Sequence, residues 1–124
     1  MVLTELRCGL PRSKEQDNAG PTHLADALTA LDDRREIELV GDSGAWLGIA
    51  GGPTYFFLGY SGPDDTIWQA VADHPPTEST AVIIGGQPTV LSARYLVGAE
   101  TARAAAVHFI KVEERLPTIL WEQM

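Results

Sequence analysis

Glu36-Ile37-Glu38-Leu39-Val40-Gly41-Asp42-Ser43-Gly44-Ala45-Trp46-Leu47-Gly48-Ile49-Ala50 alternates apolar and polar positions on the first side of a Gly-Asp-Ser-Gly turn and resumes as an apolar run on the other. Two strands joined by a tight turn read this way. Ile37 and Leu39 face one side, Glu36 and Glu38 the other, because successive side chains of a strand point to opposite faces. Gly51-Gly52-Pro53 then turns the chain into Thr54-Tyr55-Phe56-Phe57-Leu58-Gly59-Tyr60. The three runs predict an antiparallel meander.

Toward the C-terminus, Ser61-Gly62-Pro63-Asp64-Asp65 breaks the pattern again. Residues 66–76 fit a short strand or a helical turn around Ile67, Trp68 and Val71, and Pro75-Pro76 ends either one. Ser79–Ile84 and Gln87–Ser92 flank Gly85-Gly86, which predicts a second hairpin, with Pro88 placing its returning strand at an edge or a bulge. From about Ala99 to Glu114, a mostly small apolar face of Ala99, Ala102, Ala106, Phe109 and Ile110 predicts a helix that can lie close against a sheet. Glu100 sits in its first turn, where the helix dipole favours a carboxylate. Ile119-Leu120-Trp121 is too short for a helix and is expected to tuck back onto the fold.

Toward the N-terminus, Leu24, Ala27, Leu28 and Leu31 fall at i, i+3, i+4 and i+7, so a helix is expected over Thr22–Asp33 with Thr22 as its cap. Arg34 and Arg35 follow at the end that favours positive charge. Residues 9–21, polar and punctuated by Pro and Gly, read as a mobile loop. Val2–Arg7 alternates and reads as a first strand. The expected fold is therefore α+β: an antiparallel sheet of about five to six strands, meander plus hairpin, packed by two main helices in one domain of residues 1–124.

With 44% hydrophobic and 21% charged residues, the chain has the composition of a folded domain rather than a disordered one. The start Met1–Arg7 lacks the basic and apolar regions of a signal peptide, and no run of eighteen apolar residues occurs, so a cytoplasmic protein is expected. The single cysteine, Cys8, has no internal partner and reads as a small apolar filler. Nine basic against seventeen acidic residues give a net charge of −8. Such a chain repels nucleic acid and anionic membrane, and its natural partners are basic.

The motifs for chemistry are missing. His23, His74 and His108 are far apart with no paired Cys or His, so no metal and no cofactor is expected. Ser43 and Ser61 lie in hairpin-type turns, not in a strand-to-helix elbow. Gly48-Ile49-Ala50-Gly51-Gly52 is followed by Pro53 and an aromatic strand where a phosphate loop needs a helix and a lysine. The pairs Asp32/Asp33, Asp64/Asp65 and Glu113/Glu114 flank turns or helix ends, where carboxylates are ordinarily solvated. No catalytic residue is assigned.

One combination stands out. Between Asp26 and Asp65 there are eight acidic residues against two basic ones, and the same stretch holds Trp46, Tyr55, Phe56, Phe57 and Tyr60. An acidic rim around aromatic anchors suits recognition of a basic protein, since charge raises the association rate and buried aromatics supply affinity. The candidate partner-binding residues are Glu36, Glu38, Asp42, Trp46, Tyr55, Asp64 and Asp65.

Gly85-Gly86-Gln87-Pro88-Thr89-Val90-Leu91-Ser92-Ala93-Arg94-Tyr95-Leu96-Val97, then Glu100–Phe109, then Glu114-Arg115-Leu116-Pro117 and Trp121, resembles the ending of actinobacterial immunity proteins of the first-numbered Imm family. The resemblance covers roughly the last forty residues. In place of a Thr-Gly-x-x-Pro type of turn this chain has Val112-Glu113-Glu114-Arg115-Leu116-Pro117, which leaves the helix without its glycine stop. The resemblance implies a cytosolic, non-catalytic protein that binds a cognate toxin domain of a polymorphic toxin system and covers its active site or substrate groove. Toxins that attack nucleic acid, deaminases and nucleases among them, carry a basic groove that an acidic inhibitor fits. From a different class comes an enzyme or small-ligand binder with a pocket between helices and sheet, using His74 or His108. A third candidate is a homodimer or larger assembly of this chain pairing through an exposed edge strand.

Overall fold

The structure, a computed structural model, describes residues 1–7, 10–17, 20–32, 35–73, 75–76, 80–84 and 87–124, and of residues 6, 7, 10–17 and 80 the backbone alone. Cys8, His74, the Gly85-Gly86 turn, Asp33 and Arg34 lie outside the described residues. The meander is β3 (Arg35–Val40), β4 (Trp46–Gly51), β5 (Tyr55–Ser61) and β6 (Ile67–Val71), each antiparallel to the next. Residues 67–71 are thus a strand, held by pairs such as Tyr60 with Trp68. The sheet extends past the meander at both edges. β1 (Val2–Arg7) pairs β3, β2 (Leu10–Asp17) pairs β1, and β10 (Leu120–Gln123) pairs β6. The short β9 (Val97–Gly98) pairs the start of β5. Together these make an eight-stranded sheet.

Residues 10–17, expected in a loop, instead form the edge strand β2. Edge strands bond on one side only and are commonly protected by charge and proline, so Leu10-Pro11-Arg12-Ser13-Lys14-Glu15-Gln16-Asp17 lacks the apolar alternation of the inner strands.

Both helices pack on one face of the sheet. α1 (Pro21–Thr29) buries Leu24 and Ala27, and α2 (Ala99–Val112) buries Ala102, Ala105, Ala106 and Phe109, against Ile37, Leu39, Leu47, Ile49, Phe56, Leu58 and Tyr60. The alanines bring α2 close to the strands, and Phe109 fills the space at its far end, its ring edge-on to Tyr60 at 6.1 Å. α1 starts earlier than its apolar spacing implied. Gly20 is the cap, Pro21 the first helical residue, and Thr22 is already inside. The His23 Nδ1 accepts from the Gly20 N–H at 3.1 Å, a local structural role. α1 also ends sooner, at Thr29, and Leu31 reaches the core from the exit turn. The α+β class with an antiparallel meander, a separate hairpin and two main helices is what the structure shows.

α2 stops at Val112 although no glycine is present, because Glu113 takes the left-handed conformation at φ 57°. A residue with a Cβ loses roughly 1–2 kcal/mol there. Its carboxylate offsets that cost by crossing to the β3–β4 turn, where Oε1 accepts from the Ser43 N–H at 2.9 Å and the Ser43 hydroxyl at 2.6 Å. The side chain lies where a Cβ on Gly41 would stand, so a larger residue at 41 would push the Glu113 carboxylate off Ser43. These hydrogen bonds from Ser43 hold the Glu113 carboxyl below the usual carboxylate range. Glu113→Gln is therefore expected to lower stability by about 1 kcal/mol at neutral pH. A folded-state pKa below the unfolded one gives a contribution complete above about pH 4.5 and lost as pH falls through the lower folded value. Urea unfolding of both proteins from pH 7 downward checks this: the gap between them narrows only below about pH 4.5.

The second hairpin, β7 (Thr80–Ile84) with β8 (Gln87–Leu91), forms its own two-stranded sheet. Pro88 sits on β8, which among the described residues pairs with β7 alone, so its missing N–H costs no second ladder there. β7 packs against β3 and β4, with Val82 buried close to Gly51.

Candidate functional site

Register decides which residues share the face opposite the helices. Glu38 stands beside Gly48, which stands beside Gly59, and Val40, Trp46 and Ser61 form the adjoining row. Glu36, Ala50 and Phe57 form the next row in the other direction. All of these alternate with the core residues Ile37, Leu39, Leu47, Ile49, Leu58 and Tyr60, so they point away from the helices. Of the seven candidate residues, Glu36, Glu38, Trp46 and Tyr55 thus lie on one face. Asp42 is in the β3–β4 turn and Asp64 and Asp65 are in the β5–β6 turn, two turns at the same end of the meander. Four of the seven thus share a face, and the other three lie in two turns at one end of the meander, with Asp64 bordering a cavity on the opposite face.

The seven differ in what they can offer. Glu36 is 7% exposed. Its row is buried although no helix reaches it, and β7 packs against β3 and β4 there, so Glu36 belongs to the covered end of the face. Asp42 has a side chain 93% exposed, 3.3 Å from the N-terminal amine. Asp64 spends one oxygen on its own turn, where Oδ1 accepts from the Thr66 hydroxyl at 2.7 Å and the Thr66 N–H at 3.3 Å. Those two bonds lower its pKa and keep it ionised. Asp65 is exposed and left-handed at φ 64°.

Trp46 is the centre of the open part. A Cβ on Gly48 would run into its ring, and one on Gly59 would press on it at 3.3 Å, so the indole folds down over two glycines of adjacent strands. Those glycines are buried beneath it while the tryptophan keeps part of its surface in solvent. In its row stand apolar side chains that alternation alone did not single out, Val40 and Ile67 at 48% exposed, while Leu120 at 66% lies farther off on β10 and also borders the cavity beside that strand. Contiguous exposed apolar groups rimmed by charge are a feature of interaction sites. Their signal was in the sequence, as Ile67 in the ambiguous segment and Leu120 in the tail, but it became readable only once both were strands.

The opposite face holds a different feature. A cavity of about 790 Å³ opens between β6, β10 and the chain leaving α2, lined among others by Tyr60, Trp68, Arg115 and Trp121. The Arg115 guanidinium lies 3.9 Å above the Trp68 ring centre, filling the site with the chain's own cation. Burial pushes the Tyr60 hydroxyl up, and it donates to the Glu113 carbonyl at 3.2 Å. His108 does not line this cavity; it borders a shallow groove on α2 with Arg103 and Lys111. Among the described residues no three His, Cys, Asp or Glu converge as a metal site, and no helix is long and apolar enough to cross a membrane.

A family model described as "Immunity protein Imm1" matches residues 16–123. No curated protein matches the chain.

Proposed function

The chain belongs to the Imm1 immunity protein family, and from that premise we propose that it neutralises its cognate toxin domain through the helix-free face of the sheet. Membership supports a toxin-neutralising role and a toxin as partner. The observation that carries the choice of face is the shared orientation of Glu38, Trp46 and Tyr55 with the exposed Val40 and Ile67. Asp42 and Asp65 lie in the turns at one end of it, while Asp64 borders the cavity on the other side of the sheet. The net charge of −8 favours a basic partner. A toxin that acts on nucleic acid, by deamination or cleavage, presents such a surface at its substrate groove, and an acidic sheet seated there excludes the substrate. The chain acts by occupying that groove in the cytoplasm and performs no chemistry itself.

Co-production with the toxin domain encoded beside it tests the role: cells survive with the intact chain and die without it. Paired substitution Glu38→Lys and Asp42→Lys is expected to slow association about tenfold at low salt, with a smaller effect at high salt. Stopped-flow association at two salt concentrations measures this. An unchanged association rate at both would remove these carboxylates from the encounter surface.

A further inference from the structure

We propose that the anchor of this surface is a guanidinium site, at which the partner seats an arginine against the outer side of the Trp46 indole with its charge on the Glu38 carboxylate. The inference deepens the proposed function and rests on it for which protein docks. It is carried by the state of these two side chains.

The chain has three tryptophans. Trp68 donates its indole N–H to the Thr66 hydroxyl at 3.2 Å, and Trp121 donates to the Leu116 carbonyl at 3.0 Å. Both are thereby satisfied within the fold. Trp46 has no such acceptor among the described residues, and its N–H is not sealed from solvent. Its inner side is backed by Gly48 and Gly59, so the ring is held as a platform by strands rather than by a mobile loop.

Of the three glutamates on this face with described side chains, Glu36 is buried. Glu122 is committed, accepting from Arg94 at 2.8 Å and from the Tyr95 hydroxyl at 3.0 Å. Glu38 alone is partly exposed with no hydrogen bond or ion pair among the described residues, and it stands next to the glycine that Trp46 covers. An aromatic platform beside an uncommitted carboxylate recognises a cation, and a planar one best, since a guanidinium stacks and can bond both carboxylate oxygens while an ammonium cannot. Arg115 over Trp68, on the other face, is the same pairing made within the chain. The surplus of negative charge draws such a group in, and the exposed Val40 and Ile67 supply the apolar surround that excludes water from it.

Tetra-arginine and tetra-lysine amides, equal in length and charge, are the probes, titrated into isotopically labelled protein with the three indole N–H resonances followed by NMR. The Trp46 resonance is expected to move while those of Trp68 and Trp121 stay. The arginine peptide is expected to bind about 3- to 10-fold more tightly than the lysine peptide. Trp46→Leu removes that preference, Trp46→Phe keeps part of it, and Glu38→Gln weakens the arginine peptide more than the lysine one. The remaining spectrum reports that each variant is folded. Equal affinity for the two peptides, absence of binding, or shifts centred on Asp64 and Asp65 with Trp46 unmoved would each overturn the site. The probes contain no toxin, so a failed peptide experiment beside successful rescue ends the guanidinium site alone. Failed rescue beside the expected peptide result ends the toxin role and leaves a guanidinium site.

Discussion

Phe109→Ala is expected to cost about 3–5 kcal/mol of folding stability, the range for truncating a fully buried aromatic. That is a large share of the roughly 5–15 kcal/mol that holds a domain folded, so much of the variant population unfolds. Phe109 is 0% exposed and is the largest fully buried side chain. It is the one large side chain among the fully buried residues of α2, the others being Ala102, Ala105 and Ala106. It also loses the edge-on contact to Tyr60, which in turn touches Trp121 at 6.3 Å. Val112→Ala, one turn on and exposed, is expected to change stability by less than about 0.5 kcal/mol. Urea unfolding of the two variants beside the parent protein separates these outcomes.

Trp46→Ala is expected to leave the protein folded and to weaken the toxin complex about 100-fold or more, the loss found when a central aromatic anchor is truncated. The indole rests on Gly48 and Gly59 and takes no part in the cluster under the helices, so its removal uncovers two strands without opening the core. Arg103→Ala, on the exposed side of α2, is the matched control and is expected to bind as the parent does. Calorimetric titration against the toxin domain measures both. Equal loss in the two variants would mean that the contact surface is not confined to the sheet.

The inner strands were legible because each has one buried face: Ile37 and Leu39 alternate with Glu36 and Glu38, and the structure pairs them in register with Ile49 and Leu47. The outer strands were not. β2 carries Pro11, Arg12, Lys14 and Glu15, a composition that serves an edge and reads locally as a loop. β10 is four residues long, and its pairing with β6 is set by a partner about fifty positions earlier, which no local pattern reveals. The stop of α2 was hidden for a similar reason. Glu113 holds a left-handed conformation through Ser43, seventy residues away, so the sequence shows a missing glycine and not its substitute.

For the candidate site, alternation placed Glu38 and Trp46 in the same neighbourhood but could not say that Glu36 lies under the hairpin end while Glu38 stays open. That distinction depends on β7 packing across β3 and β4. The apolar part of the surface was also beyond local patterns, because Ile67 and Leu120 belong to segments without a clear period and are brought to this face by β6 and β10.

Side-chain oxidation by hydroxyl radicals, with and without the bound toxin domain, measures the location of the interface directly. Protection is expected at Trp46, Tyr55 and Ile67, with Val112, exposed at the end of α2, oxidised at the same rate in both states. Protection of α2 with the sheet face still reactive would contradict the account.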